Sequence, residues 1–300
     1  MWLFFALLTP LLFGSLNIFD KVLRDKHFST LTLTISGGLA SGAALFWLLF
    51  VSYDLPLAAT VIGFLAGALW FAAGFPYFKA LSIEEASRVV PLWQMQSPIT
   101  LLIATVLLGE KLTPQNYAAF ALIAAGSFFL SVKNFEFGKV FKLSHAFWLI
   151  LVASTGTSIA SVLAKYLYSN PANHYWNVQI ALLLGNFIGA GMVILIFGRL
   201  RQSFFAELKQ GSIKRNGLLL LRQAIGLVTF AIFQIAILTG PVSLTIAISG
   251  LSSFFVLVAA TVLSLWWPGI LKEAVSGRIL ATKAFAIVMI IGGLFLVNLK

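Results

Sequence analysis

Apolar runs without a charged residue, each long enough to cross a lipid bilayer, recur along the whole chain. A membrane-spanning helix needs about 20 predominantly apolar residues. An uncharged stretch near the C-terminal end is long enough for two spans, and Thr239-Gly240-Pro241 divides it with residues typical of a helix end. We therefore predict ten transmembrane helices. The runs occupy residues 1–19, 28–53, 55–78, 89–109, 112–132, 146–164, 175–198, 223–271 (two spans) and 279–299.

Composition supports a membrane protein. Of the 300 residues only 10% are charged and 60% are hydrophobic, with a mean hydropathy of +0.99. Soluble domains carry about 25% charged residues, so this chain lacks the polar side chains to cover a surface that faces water. We expect an all-α integral membrane protein that crosses the cell membrane several times. Because the polar connections are short, residues 1–300 form one transmembrane domain.

The charge balance and the absence of cysteine narrow the partners. A net charge of +11 fits basic connections that face an anionic leaflet better than nucleic-acid binding. Without cysteine the chain has neither disulfides nor thiolate metal ligands. We expect no cofactor and no metal. The expected partners are the lipid bilayer and a small-molecule substrate, with the chain acting as a monomer or a homodimer.

Matching segments indicate an internal repeat. Residues 97–107 (SPITLLIATVL) resemble residues 253–263 (SFFVLVAATVL), and Lys21 after the first span matches Lys165 after the sixth. Two repeats of five spans must have opposite orientations because five is odd, and inverted repeats are a construction of secondary transporters. The predicted repeats cover residues 1–133 and 146–300, joined by a basic connection at 134–145.

The chain also resembles a known family. The segment Leu107–Thr113 (LLGEKLT), Pro91 and Gly126 are similar to EamA-type members of the drug/metabolite transporter (DMT) superfamily. The second half departs from that pattern, with Leu265-Trp266-Trp267-Pro268 where Gly-Glu would recur. The resemblance implies ten helices and export or exchange of small metabolites, and it does not specify the substrate.

A corner within the matching segment also has a structural interpretation. Gly109 suits a helix C-terminus, Thr113 an N-cap and Pro114 the first turn of the next helix. We expect these structural roles rather than a role of Glu110 in transport.

The basic residues predict the orientation. Seventeen of the 20 lysines and arginines fall in or beside connections that follow odd-numbered spans. The positive-inside rule places these connections in the cytoplasm and both termini outside. The family resemblance implies the opposite orientation, and we follow the charge distribution.

Polar residues within the spans are candidates for a substrate site. In the first span Gly14, Asn17 and Lys21 share one helix face, and Ser158, Ser161 and Lys165 form the matching face of the sixth. Close packing of small residues explains the glycine and the serines equally well, whereas an amide in hydrocarbon needs a partner. The candidate substrate-binding residues are Asn17, Trp70, Tyr77, Trp93, Gln96, Thr100, Ser158, Ser161, Gln234, Ser249 and Ser252.

The fourth span carries two glutamines between two prolines. On a regular helix Gln94 and Gln96 point to nearly opposite sides. We expect Gln96 to face the centre with Trp93 and Thr100, and Gln94 to bond a neighbouring helix. An alternative is that both glutamines only join helices. Pro91 and Pro98 weaken the helix ladder and favour a bend.

These features favour a secondary transporter of small organic metabolites that works by alternating access, as an exporter or exchanger with a central, largely neutral pocket. All nine acidic residues fall at the ends of the apolar runs or between them, so we expect no dedicated carboxylate for proton coupling. The alternatives are a lipid-headgroup flippase and, less favoured, a polytopic membrane enzyme. Catalytic residues are not expected.

Overall fold

The computed structural model describes residues 2–109, 113–131, 144–273 and 277–298, and the regular structure of these residues is helical throughout. Two short 3₁₀ segments, Ser41–Ala43 and Trp93–Met95, interrupt the apolar segments. The α-helices are α1 Trp2–Lys26, α2 Thr30–Ala40, α3 Ala44–Trp47, α4 Leu57–Ile83, α5 Ala86–Leu92, α6 Gln96–Leu108, α7 Pro114–Ser131, α8 His145–Tyr168, α9 Tyr175–Ile196, α10 Gly198–Lys209, α11 Ile213–Thr239, α12 Val242–Ser249, α13 Ser252–Trp266 and α14 Gly277–Asn298.

The helices have the length and composition of membrane spans. Among the described residues, seven helical segments are long and apolar enough to cross a membrane, and the remaining predicted spans coincide with α7, α12 with α13, and α14. Large apolar side chains such as Leu57, Val106 and Leu195 remain 77–81% exposed, as expected where lipid is the solvent. The prediction of an all-helical, multi-pass membrane protein is confirmed. The seven segments are Trp2–Lys26, Thr30–Trp47, Leu57–Ile83, Ala86–Leu108, His145–Tyr168, Tyr175–Ile196 and Ile213–Thr239.

Local sequence signals locate two helix boundaries. Helix α6 ends at Leu108, and Gly109 adopts the left-handed conformation with φ 66° that favours glycine. Helix α7 begins at Pro114, and the Thr113 hydroxyl accepts a hydrogen bond from Asn116 N (3.4 Å). The predicted roles of this corner are therefore confirmed. Residues 110–112 of the corner, with Glu110, and residues 134–143 of the predicted connection lie outside the described residues.

Small residues allow two long helices, α4 and α9, to touch through their backbones. Helix α4 packs against α8 and α9. A Cβ atom on Gly67 of α4 would overlap the carbonyl oxygen of Leu182, and one on Gly185 of α9 would overlap the backbone of Phe64. Since lipid offers helices no hydrophobic drive to associate, such close approach supplies much of the attraction between them.

Two apolar segments are interrupted at corresponding points. The 3₁₀ turn Trp93–Met95 separates α5 from α6, which we call the interrupted helix α5–α6. Gly250 and Leu251 separate α12 from α13, and Ser253 N–H donates to Gly250 O (3.0 Å) across this break. We call that segment the interrupted helix α12–α13. The two breaks lie about 156 positions apart along the chain.

Two lysines bind the C-terminal ends of neighbouring helices. Lys21 Nζ on α1 donates to Leu81 O (2.7 Å) and Glu84 O (3.0 Å) at the end of α4. Lys165 Nζ on α8 donates to Ile237 O (3.0 Å) and Gly240 O (2.8 Å) at the end of α11. A cation is favourable there because the last carbonyls of a helix lack intrahelical partners. Lys165 lies 144 positions after Lys21. Ile237 lies 156 positions after Leu81, and Gly240 lies 156 positions after Glu84.

Many charged residues meet at one end of the bundle, where α1 and α4 end and α5, α11 and α14 begin. Glu207 of α10 accepts hydrogen bonds from Ser29 N (2.7 Å) and from the Thr32 hydroxyl at the start of α2. Lys26 at the end of α1 donates to Gly269 O. We call this region the basic end.

Lys283 is a second feature of the basic end. A lysine near the start of a span often extends its amine into the interface, but Lys283 is only 3% exposed. Its Nζ lies 2.6 Å from Glu85 Oε2 and 3.4 Å from Glu273 Oε2, and it donates to Ser87 Oγ (2.6 Å). The ion pairs keep the amine buried and join the interrupted helix α5–α6 to α14.

Candidate functional site

A cavity of about 220 Å³ lies between helices from both halves of the chain. Helices α1, α2, α4, α9 and α11 supply most of its wall, and both interrupted helices reach it near their breaks. Apolar and aromatic side chains predominate. Its polar and charged lining residues are Asn17, Asp20, Thr34, Ser41, Trp70, Tyr77, Trp93, Gln94, Gln96, Thr157, Asn186, Arg222, Gln223, Ser249 and Ser252.

An ion pair lies in the wall between α1 and α11. Asp20 is 1% exposed and binds Arg222 through two hydrogen bonds, from Nε to Oδ1 (2.6 Å) and from Nη2 to Oδ2 (2.9 Å). Paired, hydrogen-bonded charges are the form in which ionised groups are tolerated away from water. Arg222 Nη1 donates to Gln223 Oε1 (2.8 Å). Tyr77 Oη lies 3.4 Å from Asp20 Oδ2 and donates to Asn17 Oδ1 (2.7 Å).

The 3₁₀ turn of the interrupted helix α5–α6 forms another part of the wall. Trp93 Nε1 donates to Gln96 Oε1 (2.6 Å), and the indole ring packs edge-on against Tyr77 with centroids 4.9 Å apart. Gln94 is 4% exposed and lines the cavity, yet its amide has no hydrogen-bond partner within the described parts of the chain. It therefore offers donor and acceptor atoms to a bound molecule.

The position of Gln94 differs from the sequence prediction, which placed this side chain against a neighbouring helix and away from the cavity. The two glutamines both line the cavity because residues 93–95 form a 3₁₀ turn. With three residues per turn, positions two apart differ by about 120° rather than the larger angle of an α-helix. The turn lies between Pro91 and Pro98, where we predicted a bend because the two prolines weaken the hydrogen-bond ladder of the helix.

The predicted site residues divide into two groups. Seven line the cavity: Asn17, Trp70, Tyr77, Trp93, Gln96, Ser249 and Ser252. The other four do not. Ser158 Oγ donates to Gln96 O (3.1 Å), so it braces the cavity wall from behind. Thr100, Ser161 and Gln234 each have a buried oxygen without a hydrogen-bond partner in the described residues, and they lie among the packed helices.

Asp20 and Arg222 are the main residues that sequence reasoning missed. It placed both at the edges of spans because the charge-free runs stop beside them. In the structure α1 continues to Lys26 and α11 begins as early as Ile213, so both residues lie within long helices. The available signal was the spacing of Asn17 and Asp20, which places both on one helix face. The sequence led us to expect no dedicated carboxylate for proton coupling, and the structure places one acid, Asp20, in the cavity wall.

Comparison with known proteins agrees with the fold. The EamA-like transporter family matches residues 1–132. A Sinorhizobium sp. protein named "Uncharacterized transporter in cobO 3'region" is 31% identical over 140 residues, which cover 44% of this chain and 96% of the relative. A crystal structure described only as that of a protein aligns with 98% of this chain and 95% of its own, with 20% identity and a TM-score of 0.62, and supports the fold alone.

The match to this relative over nearly its whole length is the decisive result. Together with the family match over residues 1–132 and the apolar helices, it points to a membrane transport protein rather than an enzyme. The chain belongs to the EamA-like transporter family, within the DMT superfamily.

Proposed function

We propose that the protein is a secondary transporter of small organic metabolites in the cell membrane, working by alternating access as an exporter or exchanger. The observation that carries this proposal is the cavity between the two halves of the chain, lined by aromatic and amide side chains. Concave, mostly apolar sites with a few polar groups are typical of small-molecule binding. The cavity carries no net formal charge among its described lining residues, because Asp20 pairs with Arg222.

We further propose that ten helices form two inverted repeats. The packing of helices supports this idea, because the main contacts between the two halves come in corresponding pairs. Helix α4 packs on α8 as α11 packs on α1, and α6 packs on α8 as α13 packs on α1. Lys21 and Lys165, which are 144 positions apart, also bind corresponding carbonyls, Leu81 O and Ile237 O, which are 156 positions apart. Substrate sites of transporters built from inverted repeats lie near the midplane, at the interface of the repeats.

The interrupted helices also support transport. Both breaks border the cavity, through Trp93, Gln94 and Gln96 on one side and Ser249 and Ser252 on the other. Irregular backbone within a membrane is tolerated where it lines a cavity or is buried in protein. A break also lets the two parts of a helix move separately. Opposed broken helices therefore suit a site that opens alternately to each side.

A vesicle assay tests the proposal. Sealed vesicles containing the purified protein are loaded with a mixed pool of small metabolites, and the pool is analysed after incubation with and without an external exchange pool. We expect a small subset of solutes to leave faster than from protein-free vesicles, and Gln96→Leu with Asn17→Leu to abolish the difference. Lys79→Met serves as the control, because Lys79 is exposed and lies outside the cavity lining.

Two results would contradict it. If no solute moves faster than in protein-free vesicles, the transport proposal fails, and labelled phospholipids crossing the bilayer would favour the flippase alternative. If a cysteine at position 96 is accessible to a membrane-impermeant reagent from one side of the membrane only, under every substrate condition, then transport does not use alternating access.

A further inference from the structure

The cavity contains two charged residues that no transport of a neutral solute requires. Within the part of the chain that the structure describes, Asp20 and Arg222 are the only charged residues that line it. Ionisable residues away from water are costly, and in membrane proteins they mark substrate or ion pathways. We infer that Arg222 is the docking site for the carboxylate of an organic acid, and that Asp20 takes up a proton from water when the acid binds. This inference rests on the proposed function, since it names the substrate class of the same cavity.

Two N–H groups of the Arg222 guanidinium have no hydrogen-bond partner among the described residues. It carries five N–H groups in a fixed fork. Three serve the bonds to Asp20 and Gln223, which leaves one on each terminal nitrogen. The group is held in place by stacking over the ring of Phe78, 5.5 Å from the ring centroid. A fixed, planar cation of this kind suits recognition of a carboxylate.

Two glycines leave open space beside the spare donor on Nη1. A Cβ atom on Gly226 would lie 3.4 Å from Arg222 Nη1, and one on Gly37 would lie 3.9 Å from it. Both glycines line the cavity. Side chains at these positions would cover the guanidinium, so glycine keeps it accessible to a ligand.

The amides near the ion pair are also arranged as donors. An indole nitrogen can only donate, so the Gln96 atom that Trp93 contacts is the oxygen, and Gln96 Nε2 remains for a ligand. Asn17 Oδ1 is likewise occupied by the Tyr77 hydroxyl, which leaves Asn17 Nδ2. Among the described residues these N–H groups of Arg222, Asn17 and Gln96 have no other partner, so the cavity is complementary to a ligand rich in acceptor oxygens.

Charge balance explains the role of Asp20. A carboxylate that enters the cavity brings a second negative charge to a site with one cation, and an uncompensated buried charge is strongly unfavourable. A proton on Asp20 restores neutrality. The same proton releases Arg222 from its two-bond pairing, so the incoming carboxylate can take those donors. Proton and organic anion would therefore bind together, and the anion would cross the membrane without net movement of charge.

The other groups around Asp20 leave it as the proton acceptor. From α11 it faces Arg222 and from α4 it faces Tyr77, while α12 and α13 contain no ionisable residue. On α5 the one ionisable residue, Arg88, lies 4.0 Å from Glu84 and 3.9 Å from Glu85. On α1 itself Lys21 binds the end of α4 and Asp25, and Arg24 donates to Thr30.

Calorimetry with benzoate tests the inference, because benzoate combines a carboxylate with a small apolar ring. The purified protein in detergent is titrated with benzoate at one pH in two buffers of different ionisation enthalpy, which gives the number of protons taken up per ligand bound. For the native protein we expect about one proton per benzoate, as the neutrality argument requires. Asp20→Asn should bind benzoate without proton uptake, and Arg222→Gln should bind it at least about tenfold more weakly.

Controls keep the result interpretable. Asp25→Asn removes a carboxyl on the same helix that does not line the cavity, and it should bind benzoate with the same proton uptake as the native protein. Arg222→Lys retains the charge if Arg222→Gln fails to fold. Benzoate binding without proton uptake, equal binding of neutral benzamide, or unchanged binding in Arg222→Gln would each overturn the inference. No binding at millimolar benzoate would overturn it too. Since the assay measures binding alone, these outcomes are independent of the vesicle test of transport.

Discussion

At the scale of single residues, the 3₁₀ turn Trp93–Met95 brings both Gln94 and Gln96 to the cavity. Because the chain contains no native cysteine, single cysteines can report on each position. We expect cysteines at 94 and 96 to react with a water-soluble thiol reagent, since Gln94 and Gln96 line the cavity. A cysteine at 100 should stay inert, because Thr100 is fully buried and outside the lining. The rate of labelling measured by mass spectrometry checks this, and faster reaction at 100 than at 94 would contradict the site.

A single lysine also carries measurable stability. Lys165 Nζ satisfies carbonyls at Ile237, Leu238 and Gly240, which would otherwise lack partners at a helix end. We expect Lys165→Met to destabilise the protein by about 1–3 kcal/mol, seen as a lower thermal unfolding midpoint in detergent. Lys79→Met, which removes an exposed lysine, should leave the midpoint unchanged. Equal midpoints for the two variants would show that the carbonyls find other partners.

At the scale of helices, backbone contact between α4 and α9 holds one side of the cavity. Gly67→Val places a branched side chain against the carbonyl of Leu182 and the backbone of Asn186. We expect a loss of about 1–3 kcal/mol or more, because overpacking forces the helices apart. Thermal unfolding in detergent measures it. Gly191→Val on α9 is the matched control, since a Cβ there meets nothing within 4 Å. Similar losses in both variants would indicate a general effect of valine rather than a close crossing.

Helices were predictable from the sequence where their signals are local. Apolar runs, the Gly109 and Pro114 corner and the turn at Thr239-Gly240-Pro241 depend on neighbouring residues, so they gave the spans and several boundaries. The charged ends of the helices were not predictable from neighbouring residues. An apolar run marks the lipid-facing part of a helix, and α1 continues through Asp20 to Lys26 because partners elsewhere in the chain satisfy its charges.

The same limit applies to the candidate site. Aromatic and amide residues within apolar runs, such as Trp70, Trp93 and Gln96, stand out in the sequence and line the cavity. The pair of Asp20 with Arg222 joins residues 202 positions apart, and no local pattern connects them. Gln94 was assigned to the wrong face because the helix period changes to 3₁₀ within the turn.

For the whole molecule, the uneven distribution of charge determines how the bundle sits in the membrane. The basic end gathers the C-termini of α1 and α4, the N-termini of α2, α5, α11 and α14, and helix α10, as the contacts of Lys21, Glu207 and Lys283 show. At the opposite end the described residues contain one lysine, Lys165. Since short connections rich in lysine and arginine stay in the cytoplasm, the basic end should face the cytoplasm.

This orientation predicts where reporters become active. A reporter that works only in the cytoplasm should be active when inserted at Gly211, between α10 and α11, and inactive when fused after Lys300. A reporter that works only outside should give the opposite pattern. Both expectations rest on the charge distribution, because seventeen of the 20 basic residues lie in or beside connections after odd-numbered spans. The matched control is Lys300→Gln in the C-terminal fusion, which removes the one positive charge there and should leave the pattern unchanged. Cytoplasmic activity after Lys300 in both versions would mean that the basic end faces outward.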